Sequence, residues 1–162
     1  MKFGLTGDTH NNLKNIEIIC NIFNESDLDF VVHTGDITLP KALEKFNKLK
    51  MPFMGVFGNN DQGDKTELLE VCEKYNFDFD AYPKVIKQNN SNIFVVHDPL
   101  DIEESFYGEG NIIVHGHTHR FRDEVINGTH IFNPGECAGF MKGKNSIGVV
   151  NTALPSMDVI NF

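Results

Sequence analysis

The chain reads as an α/β sandwich, and three features of its 162 residues point that way. Short apolar runs alternate with segments of helical periodicity through the first half, the βαβ pattern of a parallel sheet with helices on its faces. The second half crowds short strand-like runs between turns, which suggests antiparallel additions and a second sheet packed on the first. Five of the strand-like runs end in Asp, His or Asn, usually beside a glycine.

The first run, Lys2–Thr6, is short and apolar and predicts a strand. Leu13, Ile16, Ile19, Cys20 and Phe23 then fall at helical spacing, so a helix follows over Leu13–Phe23. Phe30-Val31-Val32 predicts a second strand. Lys41–Leu49, opened by Pro40 in its first turn, predicts a second helix carrying Ala42, Leu43, Phe46 and Leu49. A third strand follows at Phe53–Phe57, and a third helix at Lys65–Tyr75, with Leu68, Leu69, Val71 and Cys72 turned inward. Beyond it Tyr82–Lys87, Ile93–Val96, Ile112–Val114, His130–Phe132, Ile147–Val150 and Val159–Asn161 read as strands. Only Asp101–Tyr107 reads as helix there.

Composition excludes several function classes. The length suits one compact domain spanning residues 1–162, with no repeat, linker or low-complexity tract. Fourteen Lys and Arg against 23 Asp and Glu leave a net charge of −9, which argues against nonspecific binding to nucleic acid or membrane surfaces. No apolar stretch approaches the ~20 residues needed to span a bilayer. The opening MKFGLTGDTHNN holds too short an apolar run for a signal-peptide core, so a cytoplasmic protein is expected. Cys20, Cys72 and Cys137 form no CxxC pair and fit reduced thiols, the first two in core packing. Homo-oligomerisation stays open.

The strand ends carry the chemistry. Gly7-Asp8-Thr9-His10 follows the first strand, Gly35-Asp36 the second and Gly58-Asn59-Asn60-Asp61 the third. His97-Asp98 follows Ile93–Val96, and His115-Gly116-His117-Thr118-His119 follows Ile112–Val114. Ligands of open α/β sheets bind at the carboxyl edges of the strands, so these clusters meet if their strands share a sheet. Asp8, His10, Asp36, Asn59, His97, His117 and His119 together offer two carboxylates, one amide oxygen and four imidazoles. That exceeds one tetrahedral ion and suits two ions sharing a ligand. Mixed N and O donors without thiolate suit manganese, iron, cobalt, nickel or zinc more than calcium or magnesium.

These motifs resemble the metallophosphoesterase superfamily of calcineurin-like enzymes. The family pattern D-x-H, G-D, G-N-x-[DE], H and G-H-x-H is present in order, as Asp8-Thr9-His10, Gly35-Asp36, Gly58-Asn59-Asn60-Asp61, His97 and Gly116-His117-Thr118-His119. The short chain and its early GLTGDTHNN resemble the small bacterial and archaeal phosphodiesterases in particular. The resemblance implies a four-layer α/β/β/α sandwich of two mixed β-sheets flanked by helices. It implies Asp8, His10, Asp36 and His119 around a first metal, and Asp36, Asn59, His97 and His117 around a second, with Asp36 bridging. It further implies hydrolysis of a small-molecule phosphodiester by in-line attack of a metal-bridging hydroxide, between ions about 3.5–4 Å apart.

One position departs from the pattern. Many members carry histidine after the ligand asparagine, where it contacts phosphate and is proposed to protonate the leaving oxygen. Here Asn60 stands there, and an amide hydrogen-bonds a phosphoryl oxygen without acting as a general acid. Good leaving groups, such as those of aryl phosphodiesters, are therefore expected to be favoured.

The remaining polar residues read more plainly. His33 and His115 read as buried, hydrogen-bonded or metal-supporting histidines rather than ligands. His130 reads as a surface strand residue. Asp61 reads either as orienting Asn60 or as capping the following helix. Asp98 supports the site or is solvated, and Arg120 and Arg122 are solvated loop charges or face phosphate. Asn133-Pro134-Gly135 signals a turn, and Glu136 after it replaces a serine common in the family, with no role assigned by the sequence. Three other functions compete with the diesterase. A phosphomonoesterase shares every motif, a binding scaffold would have eroded the ligands, and a nuclease would need a basic surface or a further domain.

Overall fold

Alternation along the strands sets which residues face which layer, and two sheets result. The structure is a computed structural model describing residues 1–80, 82–88 and 91–162. The strands are β1 (Lys2–Thr6), β2 (Phe30–His33), β3 (Phe53–Val56), β4 (Asp78–Asp80), β5 (Lys84–Lys87) and β6 (Asn92–Val95). They continue with β7 (Ile112–Val114), β8 (Arg122–Ile126), β9 (Thr129–Asn133), β10 (Ser146–Asn151) and β11 (Ser156–Asn161). The helices are α1 (Leu13–Asn24), α2 (Pro40–Lys45) and α3 (Lys65–Tyr75).

The first sheet runs β11-β10-β1-β2-β3-β4 and the second β5-β6-β7-β9-β8. Both are mixed. β1 to β4 pair in parallel, whereas β10 pairs antiparallel with β1 and β11. β6, β7 and β9 are parallel, with β5 and β8 added antiparallel at the edges. Phe3, Leu5, Phe30, Val32 and Val56 of the first sheet face Ile93, Val95, Ile112, Val114 and Phe132 of the second, forming the central core.

A second core lies between the first sheet and the helices. Ile16, Ile19, Cys20 and Phe23 of α1, Ala42 and Leu43 of α2 and Leu68 and Cys72 of α3 pack there with Val31, Phe53 and Phe79. Asn12 caps α1, accepting from Asn15 N at 3.1 Å. α3 ends at Asn76, whose φ of 56° gives the left-handed turn that stops a helix.

Two local expectations need correction. α2 ends at Lys45, and a 3-10 turn over Phe46–Lys48 completes the expected helix. Asp101–Tyr107 is no helix: 3-10 turns at Pro99–Asp101 and Glu104–Phe106 cover Phe94, Ile113 and Ile131 on the outer face of the second sheet. The outer helical layer is accordingly thin. β4 and β8 carry too little apolar alternation to be read in advance, since Asp123 and Glu124 of β8 are exposed edge residues. No helix among the described residues is long and apolar enough to cross a membrane.

Candidate metal centre

The clusters meet, although their strands do not share one sheet. β1, β2 and β3 deliver Asp8, Asp36 and Asn59 from the first sheet, and β6 and β7 deliver His97, His117 and His119 from the second. Backbone bonds stitch the loops together: Asp8 N donates to Gly35 O at 2.8 Å, His10 N to Asp36 O at 2.9 Å and Gly116 N to His97 O at 3.0 Å. The crevice therefore lies at the shared end of the sandwich.

Two groups of donor atoms form there. Ligand atoms of Asp8, His10 and His119 lie within 4.8 Å of one another, as do those of Asp8, Asp36 and His97. The residue common to both groups is Asp8. Asn59 Oδ1 lies 2.9 Å from His97 Nε2 and 3.1 Å from His117 Nδ1, and His97 Nε2 lies 3.4 Å from Asp36 Oδ1. The structure thus brings together all seven sequence-predicted ligands.

The backbone is strained at this spot. Asp8, His10, Asp36, His117 and His119 have φ between 46° and 64°, and neighbouring Thr38 has φ 72°. Left-handed backbone is uncommon outside glycine and costs on the order of 1–3 kcal/mol per residue. Gly116 permits a close approach: a Cβ there would lie 2.4 Å from Asp8 Oδ2. This lets His117 N donate to both Asp8 oxygens, at 3.0 and 2.9 Å.

Each imidazole is aimed by what its outer nitrogen touches. His97 Nδ1 lies 2.9 Å from Thr34 O, an acceptor only, so Nδ1 carries the hydrogen and Nε2 faces the cluster. His119 Nδ1 lies 2.6 Å from Glu136 Oε2, leaving its Nε2 3.7 Å from Asp8 Oδ1. His117 turns Nε2 toward Asp98 Oδ2 at 3.6 Å and Nδ1 toward Asn59. His10 Nε2 is buried with no hydrogen-bond partner. A buried ring nitrogen without a hydrogen-bond partner is one that a metal ion would satisfy.

Electrostatics agree with a cation. Burial pushes the Asp8 carboxyl up to about 7, against the nearby His97 and His119 and with the help of Asp36. Burial opposes ionisation of Asp36 too, but bonds from His97 and from the Asn60 backbone and side chain hold it well below the usual carboxylate range. Burial would lower His97, yet the Asp36 hydrogen bond and the Asp36 and Asp8 charges lift it to about 9. Two carboxylates this close draw positive charge, and the donor set suits a divalent ion.

The supporting residues sort clearly. Gly35 N donates to His33 Nδ1 at 3.0 Å, so His33 carries its hydrogen on Nε2, facing Thr9 Oγ1 at 3.0 Å. His33 thus braces the Asp8–His10 and Asp36 loops from beneath, as a buried hydrogen-bonded residue. His115 is likewise buried, beside Gly116 O, Arg122 and Asn133. Arg122 is paired with Glu124 at 2.9 Å, and Arg120 is exposed. Asn60 does not point at open space: its Nδ2 donates to Asp36 Oδ2 at 2.6 Å. Asp98 caps the 3-10 turn after it, accepting from Leu100 N.

Two residues exceed their sequence reading. Asp61 does not cap α3, whose N-cap is Asp64, and shows no bond to Asn60; its carboxylate accepts from Gly58 N at 2.7 Å within the 3-10 turn Asn59–Asp64. It also accepts from Asp36 N at 2.9 Å, Ile37 N at 2.8 Å and Thr38 N at 2.6 Å, binding two ligand loops to one carboxylate. Glu136 is 2% exposed and holds His119 with one oxygen and Phe140 N with the other. Its only sequence signal is an acid directly after an Asn-Pro-Gly turn.

Fold and donor set together define a metal-dependent hydrolase of the two-sheet sandwich type. The calcineurin-like phosphoesterase superfamily domain matches residues 1–153, and the chain belongs to that family. It is 29% identical over 160 residues to phosphodiesterase MJ0936 of Methanocaldococcus jannaschii, covering 94% of this chain and 93% of that protein. A solved archaeal phosphodiesterase superposes with a TM-score of 0.84 at 26% identity, over 100% of both chains. The E. coli phosphoesterase Yfce shares the fold with a TM-score of 0.72 at 22% identity, over 99% of this chain and 98% of that one.

Proposed function

We propose that the chain is a phosphodiesterase acting on a small-molecule phosphodiester, with two divalent transition-metal ions as cofactors. Asp8, His10 and His119 would hold one ion and Asn59, His97 and His117 the other, with Asp36 between them. The observation that carries this reading is the convergence of seven donor residues around a buried carboxylate pair, with His10 Nε2 left without a hydrogen-bond partner. Manganese, iron, cobalt, nickel and zinc all suit these N and O donors. Bound ions would polarise the phosphoryl oxygens and lower the pKa of a nucleophilic water.

The chain's own residues do the rest. Thr34 O and Glu136 fix the imidazoles of His97 and His119, so the donors need little reorganisation to bind. Asp61 fixes the loops that carry Asp36 and Asn59. Asn60 places amide N–H groups at the edge of the site but holds no proton to give, so substrates whose leaving oxygen carries charge well are favoured.

The test is hydrolysis of bis-p-nitrophenyl phosphate and p-nitrophenyl phosphate with manganese, nickel, cobalt or zinc, beside His97→Ala and Asp36→Asn. Metal-dependent diester turnover, lost in both variants, is expected. Monoester activity exceeding diester activity would overturn the diesterase assignment, and no turnover with any metal would favour a non-catalytic scaffold.

A further inference from the structure

His119, whose Nε2 faces the ligand cluster, also borders a groove of about 560 Å³ that the chemistry above leaves unused. Phe121, Pro134, Met141 and Val159 form apolar walls, with Arg120 and Lys144 also lining it. Phe121 is 57% exposed and Met141 46%. Phe140, 70% exposed, stands beside them with its ring centroid 5.5 Å from that of His119 and 5.2 Å from that of His10. Contiguous exposed apolar side chains rimmed by charge mark a binding surface rather than chance exposure.

The groove is built rather than incidental. The buried Glu136 carboxylate ties His119 to the loop that carries Phe140 and Met141, so the wall and the ligand cluster share one fixed point. Ser146 Oγ donates to Pro134 O at 2.6 Å beneath it. Gly135 leaves the floor as bare backbone: its φ is 106°, and a Cβ there would lie 2.7 Å from Ser146 Oγ. Neither Arg120 nor Lys144 forms an ion pair among the described residues, although the chain is strongly acidic.

The opposite flank of the centre differs. There a cavity of about 650 Å³ is lined mainly by polar groups, among them Asn59, Gln62, Lys65, Asp98 and Asp101. A phosphodiester has two arms, and these flanks sort them by polarity. In an in-line displacement the leaving oxygen departs opposite the nucleophile. The leaving oxygen gathers negative charge, which the polar flank with Gln62 and Lys65 can stabilise, so the apolar flank is left for the arm that phosphorus keeps.

We propose that the groove beside His119 is a subsite for an aryl-sized apolar arm of the phosphodiester, the arm retained on phosphorus. Cations at the mouth suit the anionic diester and the face of an aryl ring. The proposal rests on the phosphodiesterase reading for its choice of ligand.

The test uses phenyl p-nitrophenyl phosphate and methyl p-nitrophenyl phosphate, which share a leaving group and differ in the retained arm. With manganese-loaded protein, kcat/KM for the phenyl ester is expected to be at least tenfold higher, chiefly through KM. In Phe121→Ala and Met141→Ala, checked for folding by circular dichroism, the ratio is expected to fall below threefold. A wild-type ratio near one, or a ratio that persists in both variants, overturns the subsite. Binding of diphenyl phosphate and dimethyl phosphate by calorimetry gives a readout independent of turnover. Tighter diphenyl phosphate binding that depends on Phe121, without hydrolysis of either ester, would sustain the subsite and overturn the diesterase. Equal binding of the two would overturn the subsite alone. Dimerisation that Phe121→Ala abolishes would overturn it also, by making the groove a subunit interface.

Discussion

Replacing Asp61 by asparagine tests the architecture most sharply, because one carboxylate serves four backbone donors. Oδ1 accepts from Ile37 N and Thr38 N, and Oδ2 from Asp36 N and Gly58 N, all within 2.9 Å. Asparagine keeps one oxygen and turns an NH2 toward two of these N–H groups. Two charge-assisted bonds worth about 1.5–3 kcal/mol each are lost, a gross cost of about 3–6 kcal/mol. One term opposes this. Burial raises the Asp61 carboxyl despite its N–H partners, so holding it charged is itself unfavourable and the neutral amide escapes that cost. The net falls at the low end, about 3 kcal/mol. For a chain of this length, 1 kcal/mol shifts Tm by about 2–4 °C, so Asp61→Asn is expected to melt about 6–12 °C lower. Thermal unfolding followed by circular dichroism at neutral pH measures it. A loss under about 2 °C would refute the reasoning, since the loops would then hold without the carboxylate.

Three further outcomes are expected. Glu136→Gln keeps the acceptor for Phe140 N but removes the charge behind His119, and should weaken divalent-metal affinity about 10–100-fold by calorimetry; unchanged affinity would remove Glu136 from the metal-supporting set. Thr38→Gly relieves a β-branched residue at φ 72° and should raise stability to urea by about 1 kcal/mol, whereas a loss would show that the Thr38 Oγ1 bond to Ile37 O outweighs the strain. Burial lowers His33 to about 3, so the folded state keeps it neutral while the unfolded chain takes up a proton below pH 6.5. Its contribution is present above that pH and is lost on acidification, about 2 kcal/mol between pH 7.5 and pH 5. His33→Asn should flatten the urea stability profile by that amount, and identical slopes would contradict the assignment.

How much was legible in the sequence follows from where each signal resides. β1, α1, β2, β3 and α3 were readable because each buries a periodic apolar face against one layer, as Ile16, Ile19, Cys20 and Phe23 do. The seven ligand candidates were readable because short loops at strand ends keep them in recognisable order. β8 was not, since its exposed charges at a sheet edge erase the alternation that reveals a strand. The Asp101–Tyr107 segment fails as a helix because Pro99 opens a tight turn ahead of it and Gly108 and Gly110 follow at once. The shared crevice could not be deduced as a two-sheet edge, because strand pattern does not say which strands pair. Asp61 and Glu136 were invisible in function because their partners, Asp36 N and His119 Nδ1, are 25 and 17 residues away.

The proposed centre holds two divalent ions around Asp36, and anomalous diffraction from crystals soaked in manganese tests this most directly. Two peaks flanking Asp36 are expected, one beside Asp8, His10 and His119 and the other beside Asn59, His97 and His117. A single peak, or peaks away from these residues, would contradict it.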